Sequence, residues 1–259
     1  MDGPRRRRIV DAFSAACEYD RHARVQQRTA QALAERIGAL DLPRGPRVLE
    51  IGCGTGHLTE ALLNKEIGGS WLVTDIAPQM VARCRARIGD REGLAYAVVD
   101  GEAAHDGFEQ RFDLVCSNLA AQWFDDLRSA LERMLGWLRP GGHLLFTTLG
   151  DRTFSEWREA HEREGLAPGT PELWPAARLA GLVPAAQASP PVVEHFRERH
   201  PTAAALVRPV KGIGGGTPRA RHRPLAPAQL RRVMRHFESA GGRATYEVVT
   251  CHYRRPLRP

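Results

Sequence analysis

What the 259-residue chain has little of narrows its chemistry first. It holds five cysteines, at positions 17, 53, 84, 116 and 251, with no C-x-x-C pair and no framework spacing. That argues against a disulfide scaffold and fits a reduced, cytoplasmic setting. No apolar run approaches the roughly 18–20 residues that cross a bilayer. The N-terminal MDGPRRRRIVDAF carries a basic cluster with no apolar stretch behind it, so it does not read as a secretory signal. The ten histidines show neither H-x-x-x-H nor Cys/His zinc spacing, and no metal is expected. Aromatic residues make up 7% of the chain, and no platform for stacking nucleic-acid bases is evident. Lysine is almost missing: Lys65 and Lys211 are the two lysines among 37 basic residues.

The basic charge that is there is lopsided. From residue 201 onward there are 12 arginines and lysines against Glu238 and Glu247 alone. Such a third attracts an acidic partner, whether nucleic acid, membrane surface or acidic protein, or is simply a solvated basic face. The remaining chain alternates short apolar runs with amphipathic ones. Residues 24–39 read as a helix. RVLEIG (47–52), SWLVTD (70–75), LAYAVVD (94–100), FDLVCS (112–117) and HLLFTTL (143–149) read as strands, separated by helices over 57–65, 78–88 and 125–138. The expected fold is α/β, a parallel sheet with right-handed crossovers. Past residue 150 the rhythm breaks. A helix at 153–164 is followed by recurring prolines, then a helix at 227–242 and an alternating last strand at 244–255. This divides the chain into an N-terminal arm (1–45), a core (46–151), a cap over the strand ends (152–225) in which Trp157 and Trp174 pack, and a closing helix and strand (226–259).

VLEIGCGTG (48–56) carries the most specific local signal. Gly52, Gly54 and Gly56 permit a sharp turn and close approach to a ligand, directly before a helix N-terminus. Asp75 closes the second strand, where an acid accepts hydrogen bonds from both ribose hydroxyls. A nicotinamide fingerprint is G-x-G-x-x-G and cradles pyrophosphate. Here the spacing is G-x-G-x-G behind Glu50, whose carboxylate repels pyrophosphate and suits a cationic amino acid. The combination resembles the class I S-adenosylmethionine-dependent methyltransferases. That resemblance implies a Rossmann-like sheet, mostly parallel with an antiparallel C-terminal strand, and a small cap inserted after strand 5. It also implies S-adenosyl-L-methionine as cofactor, held by Glu50, the three glycines, Asp75 with Ile76 and Met80, and an acid after strand 3 among Asp100, Gly101 and Glu102.

One stretch asks more than this. CSNLAAQWFDD (116–126) places two amides and an indole at the end of a core strand, where ligands sit in open α/β sheets. Asn118 is expected to face cofactor or substrate and Trp123 to wall the pocket; capping and core filling are the plainer alternative for Gln122 and Trp123. Together with FSAACEYDRHARVQ (13–26), LRPGGHLLFTTL (138–149), VKGIGG (210–215) and ATYEV (244–248), this stretch resembles the malonyl-(acyl-carrier-protein) O-methyltransferase family over about residues 9–255. Pro209-Val210 before Lys211, and Gly215-Gly216 after it, depart from the family pattern. The resemblance implies methyl transfer to the free carboxylate of a malonyl thioester, at the start of pimelate assembly for biotin. It places Tyr19 near the methyl-transfer site with Asn118 positioning, and assigns Tyr19, Gln122, Trp123 and Lys211 to the substrate; His22 is a weaker candidate in the same arm. A malonyl carboxylate, with a pKa of roughly 3–4, is already ionised at pH 7 and needs no general base. No Ser–His–Asp or Cys–His constellation is visible, in keeping with that. The expected partner is a malonyl-acyl-carrier protein, acidic by family, docking on Arg219, Arg221, Arg223, Arg231, Arg232 and Arg235, with no nucleic acid and no membrane. The competing readings are another small-molecule carboxyl or carbon methyltransferase, and a non-catalytic or nucleic-acid-binding protein on this fold.

Overall fold

The computed structural model describes residues 4–16, 19–212 and 222–257. Three helices come first: α1 (Pro4–Ser14), α2 (Tyr19–His22) and α3 (Arg24–Gly38). α3 forms because Val25, Thr29, Ala30, Leu33, Ala34 and Ile37 recur three or four residues apart, and all six are buried. The alternating core follows as β1 (Arg47–Ile51), α4 (His57–Leu63), β2 (Ser70–Asp75), α5 (Pro78–Ile88), β3 (Leu94–Val98), β4 (Phe112–Asn118), α6 (Leu127–Trp137) and β5 (Leu138–Leu149). Pro78 opens α5 at its first turn, where a missing N–H costs nothing. The Asp126 side chain caps α6 by accepting from the Ser129 N–H.

β1 to β5 are parallel and lie in the spatial order β3-β2-β1-β4-β5. Order reverses between β1 and β4, and their loops part there to leave a crevice at the carboxyl ends. Two cores cover the faces. One gathers Leu49, Val115, Leu131, Met134 and Phe146; the other gathers Leu33, Ile37, Val48, Leu58 and Leu114.

The second half holds α7 (Ser155–Glu162), α8 (Ala176–Ala180), β6 (Gln187–Ala188), β7 (Val192–Arg199), α9 (Ala203–Gly212), α10 (Pro227–Ser239) and β8 (Arg243–Arg254). β8 runs antiparallel to β5, as the resemblance implies. β6 and β7 were not legible in the sequence. β7 pairs antiparallel with β8 over Val192–Arg199, so part of the segment expected as cap is an edge of the main sheet. Its alternation is weak because an edge strand buries little: Phe196 alone is buried on it. Helices α7, α9 and α10 form a separate small core around Ala160, Leu206, Val233 and Phe237. Trp157 packs there, edge-on to Phe237, whereas Trp174 packs against the sheet core and lies under the Arg178 guanidinium. Among the described residues no helix is long and apolar enough to cross a membrane.

Candidate active site

The glycine loop fills the crevice between β1 and β4. Gly52 has φ +73°, and a Cβ there would lie 2.5 Å from the Ala120 Cβ, so only glycine lets the two loops meet. The loop is held from β2: the Asp75 carboxylate accepts from the Gly54 N–H at 2.9 Å and the Ala77 N–H at 2.9 Å. Burial pushes the Asp75 carboxyl above its usual range, opposed by these backbone amides. Gly56 serves packing instead. It ends the turn at φ +93° as the cap before α4, and a Cβ would press on the Cys84 Sγ at 3.0 Å.

Around this loop lies a cavity that opens to solvent. Gly52, Gly54, Asp75, Ile76, Asp100, Gly101, Glu102, Asn118 and Trp123 line it, together with Tyr19. Besides Gly56, two residues expected there do not line it. Glu50 is buried beneath the loop, where it accepts from the Thr59 hydroxyl at 2.7 Å. Burial lifts its carboxyl to about 7 despite that bond. Met80 is fully buried against Ala16 and Ala77, behind the cavity wall.

The arm supplies what the sequence reading left out. Arg6, Ile9 and Phe13 of α1 also line the cavity. The Arg6 guanidinium pairs with Asp100 at 2.6 Å and with Glu102. Glu102 in turn accepts from the backbone N–H groups of Asp125 and Asp126 at 2.9 and 2.8 Å. Arg5 pairs with Asp125 and donates to the Trp123 carbonyl. The signal for this was present in the sequence: Ile9 and Phe13 stand four apart behind the arginines, one face of a helix.

Tyr19 sits where the arm meets the loop. Its hydroxyl lies 3.7 Å from the position a Cβ on Gly54 would take. Its neighbour Asp20 anchors it by accepting from the Thr55 hydroxyl at 2.6 Å and pairing with Arg87. Burial, and then the Asp75 carboxylate, raise the Tyr19 phenol well above its ordinary value, so it is a neutral donor at pH 7.

A second cavity adjoins the first. Phe13, Tyr19, Leu119 and Trp123 belong to both. Its other walls include Val25, Gln122, Leu149, Phe154, Leu173 and Tyr246, and no charged side chain lines it among the described residues. The two amides of 116–126 brace this junction. Asn118 donates to the Gln26 carbonyl at 3.0 Å and accepts from the Thr147 hydroxyl at 2.7 Å, tying β4 to α3 and β5. Gln122 donates to the Leu119 carbonyl at 2.6 Å, and its Oε1 is buried with no hydrogen-bond partner among the described residues. Trp123 is a wall, met edge-on by Phe13 at 5.5 Å between ring centres. His22 lines neither cavity. Lys211 lies on α9, with its side chain outside the described residues, as are Arg219 and Arg221.

Sheet order, glycine loop and ribose-side acid together define a class I methyltransferase. A family model described as a methyltransferase domain matches residues 49–144. The fold is shared with solved structures of low identity. The YcgJ protein from Bacillus subtilis has a TM-score of 0.63 at 14% identity, over 88% of this chain and 99% of that one. The N-methyltransferase NodS from Bradyrhizobium japonicum, in complex with S-adenosyl-L-homocysteine, has a TM-score of 0.51 at 18% identity, over 91% and 88%. The fold and the matched domain are those of a methyltransferase. Among curated relatives, a malonyl-[acyl-carrier protein] O-methyltransferase of Magnetococcus marinus is 38% identical over 98% of this chain and 94% of its own length. The biotin biosynthesis bifunctional protein BioCD of Bordetella avium is 44% identical over 96% of this chain, which spans about half, 53%, of that relative. The chain belongs to the malonyl-[acyl-carrier protein] O-methyltransferase family.

The residues present fit the cofactor. The Asp75 and Asp100 carboxylates on the cavity wall suit S-adenosylmethionine, with its ribose hydroxyls and its positive charge.

Proposed function

We propose that this protein methylates the free carboxylate of a malonyl thioester carried by an acyl-carrier protein, giving the methyl ester used in biotin synthesis in the cytoplasm. The observation that carries this is the pair of cavities meeting across Tyr19 and Trp123, charged on the cofactor side and, among the described residues, uncharged on the other. When bound, S-adenosylmethionine supplies an electrophilic methyl group on a positively charged sulfur. Gly52, Gly54 and Asp75 hold its amino-acid and ribose parts, and Asp100 to Glu102 flank the adenine.

The acceptor needs no deprotonation, so the chain's task is to remove water and aim one oxygen. A cation beside the carboxylate would hold its charge as the ester forms and oppose the reaction. An uncharged wall avoids that, and Tyr19, kept neutral by burial, offers one hydrogen bond without neutralising the carboxylate. From the second half of the chain, Phe154, Leu173 and Val210 contribute to the acceptor-side walls. Arg223, Arg231 and Arg235 are exposed and suit an acidic carrier protein, while Arg232 is held by Glu164. The test is methyl transfer from labelled S-adenosylmethionine to malonyl-, succinyl- and acetyl-carrier protein, beside malonyl-coenzyme A and free malonate. Base-labile labelling of the malonyl carrier and none of the acetyl carrier is expected. Labelling of free malonate alone would overturn the carrier reading.

A further inference from the structure

A third hollow, open to solvent, adjoins the acceptor cavity. It shares Phe154, Thr170, Pro171 and Val210 with that cavity, so the two adjoin across those side chains. From there it runs along α9 and α10 to a rim where Ala204, Arg208, Pro224 and Leu230 are exposed. The stretch of α9 from Ala204 to Val210 alone covers about 9 Å at helical rise.

Its chemistry changes along its length. Trp157, Leu206, Leu225 and Met234 make most of the wall apolar, and no carboxylate lines it among the described residues. His161 is buried on the wall. Its Nδ1 bonds to the Trp157 carbonyl at 2.8 Å and must carry the proton there, which leaves Nε2 an acceptor. Burial lowers the His161 pKa, which favours that neutral form. At the rim the charge is positive: Arg208 lines the hollow, and Arg223 and Arg231 are exposed beside its lining residues His222 and Leu230. Among the described residues none of these three arginines pairs with a carboxylate.

We infer that this hollow is the channel for the prosthetic arm of the carrier, with the phosphodiester at the Arg208 rim and the thioester at Thr170 and Pro171. The inference rests on the carrier-thioester reading above. Such an arm has apolar stretches, amide N–H groups that need acceptors, and one anionic end, in the same sequence as the wall. A free small acid has no use for the hollow. A nucleic acid would use the rim and not the apolar interior.

The experiment compares two acceptors, malonyl-carrier protein and malonyl-N-acetylcysteamine, whose short thioester ends before the channel. Two variants narrow or charge the channel at exposed positions, Ala204→Trp and Leu230→Glu. Each is expected to raise KM for the malonyl carrier by about tenfold or more, equivalent to about 1.4 kcal/mol, and to leave the short thioester unchanged. S-adenosylhomocysteine affinity, unchanged, reports that each variant is folded. Parent-like KM for the carrier in both variants overturns the channel, as does equal loss with both acceptors. Failure of the parent itself to methylate either thioester overturns the reading beneath it, and the channel with it.

Discussion

The two cavities that meet at Tyr19 differ in kind. The cofactor cavity is lined by Arg6, Asp75, Asp100 and Glu102, and each of these is tied to backbone or to another charge. The acceptor cavity is lined by rings, aliphatic groups and neutral polar ones, with no charge among the described residues. A cofactor with fixed structure rewards fixed charges that recognise it before and after reaction. An anion that must lose its charge is better served by walls that strip its water without replacing the lost solvation by a full counter-charge.

The contrast can be broken at its strongest point by Asp75→Ala. Removing the buried acid should weaken S-adenosylhomocysteine binding by about a hundredfold, because the loop's Gly54 N–H loses its charged partner as well. Calorimetry showing parent-like affinity would dissolve the contrast. Tyr19→Phe tests the boundary: kcat should fall by about tenfold, with cofactor affinity unchanged. A fully active enzyme would remove that hydroxyl from the site. The acceptor side can be given a charge that its described residues lack. Leu173→Lys should lower both KM and kcat for the malonyl carrier, by about threefold each, as a bound carboxylate becomes too well held. An increase in kcat would refute the argument for an uncharged wall. Arg6→Gln should weaken cofactor binding by about threefold and reduce its salt dependence, read from titrations at low and high salt.

Smallest in its effect on activity is Glu50→Gln. The folded-state pKa of Glu50 is raised to about 7 from an ordinary 4.5, so the folded chain holds a proton that the unfolded chain releases. Its contribution is favourable below pH 4.5 and is lost as pH rises toward 7. In the variant the melting temperature should fall less across that window, by on the order of a few degrees. An unchanged slope would show that Glu50 is not the group responsible.

The cofactor half was the more legible in sequence because its parts are local. A strand, three glycines and an acid at the next strand end state their geometry within thirty residues. Even there, the pattern did not separate a glycine on the cavity wall from one that meets Cys84, nor an acid facing the cavity from Glu50 facing Thr59. Asn118 and Gln122 were legible as unusual, but their brace partners, Gln26, Thr147 and Leu119, follow only from the folded register. The acceptor half gathers Phe13, Val25, Leu149, Phe154, Leu173 and Tyr246 from six separate segments. No short spacing announces such a wall. β7 escaped notice because seven of its eight residues are not buried, and Arg6 because four consecutive arginines read as a charged tail.

Phe13, Tyr19, Leu119 and Trp123 stand in both cavities at once. A ligand in either cavity packs on these four side chains and so fixes part of the wall that the other ligand meets. The two affinities are thereby coupled, and thermodynamic linkage makes the coupling the same in either direction. Cofactor should tighten the hold on the acyl carrier by the same factor that the carrier tightens the hold on cofactor.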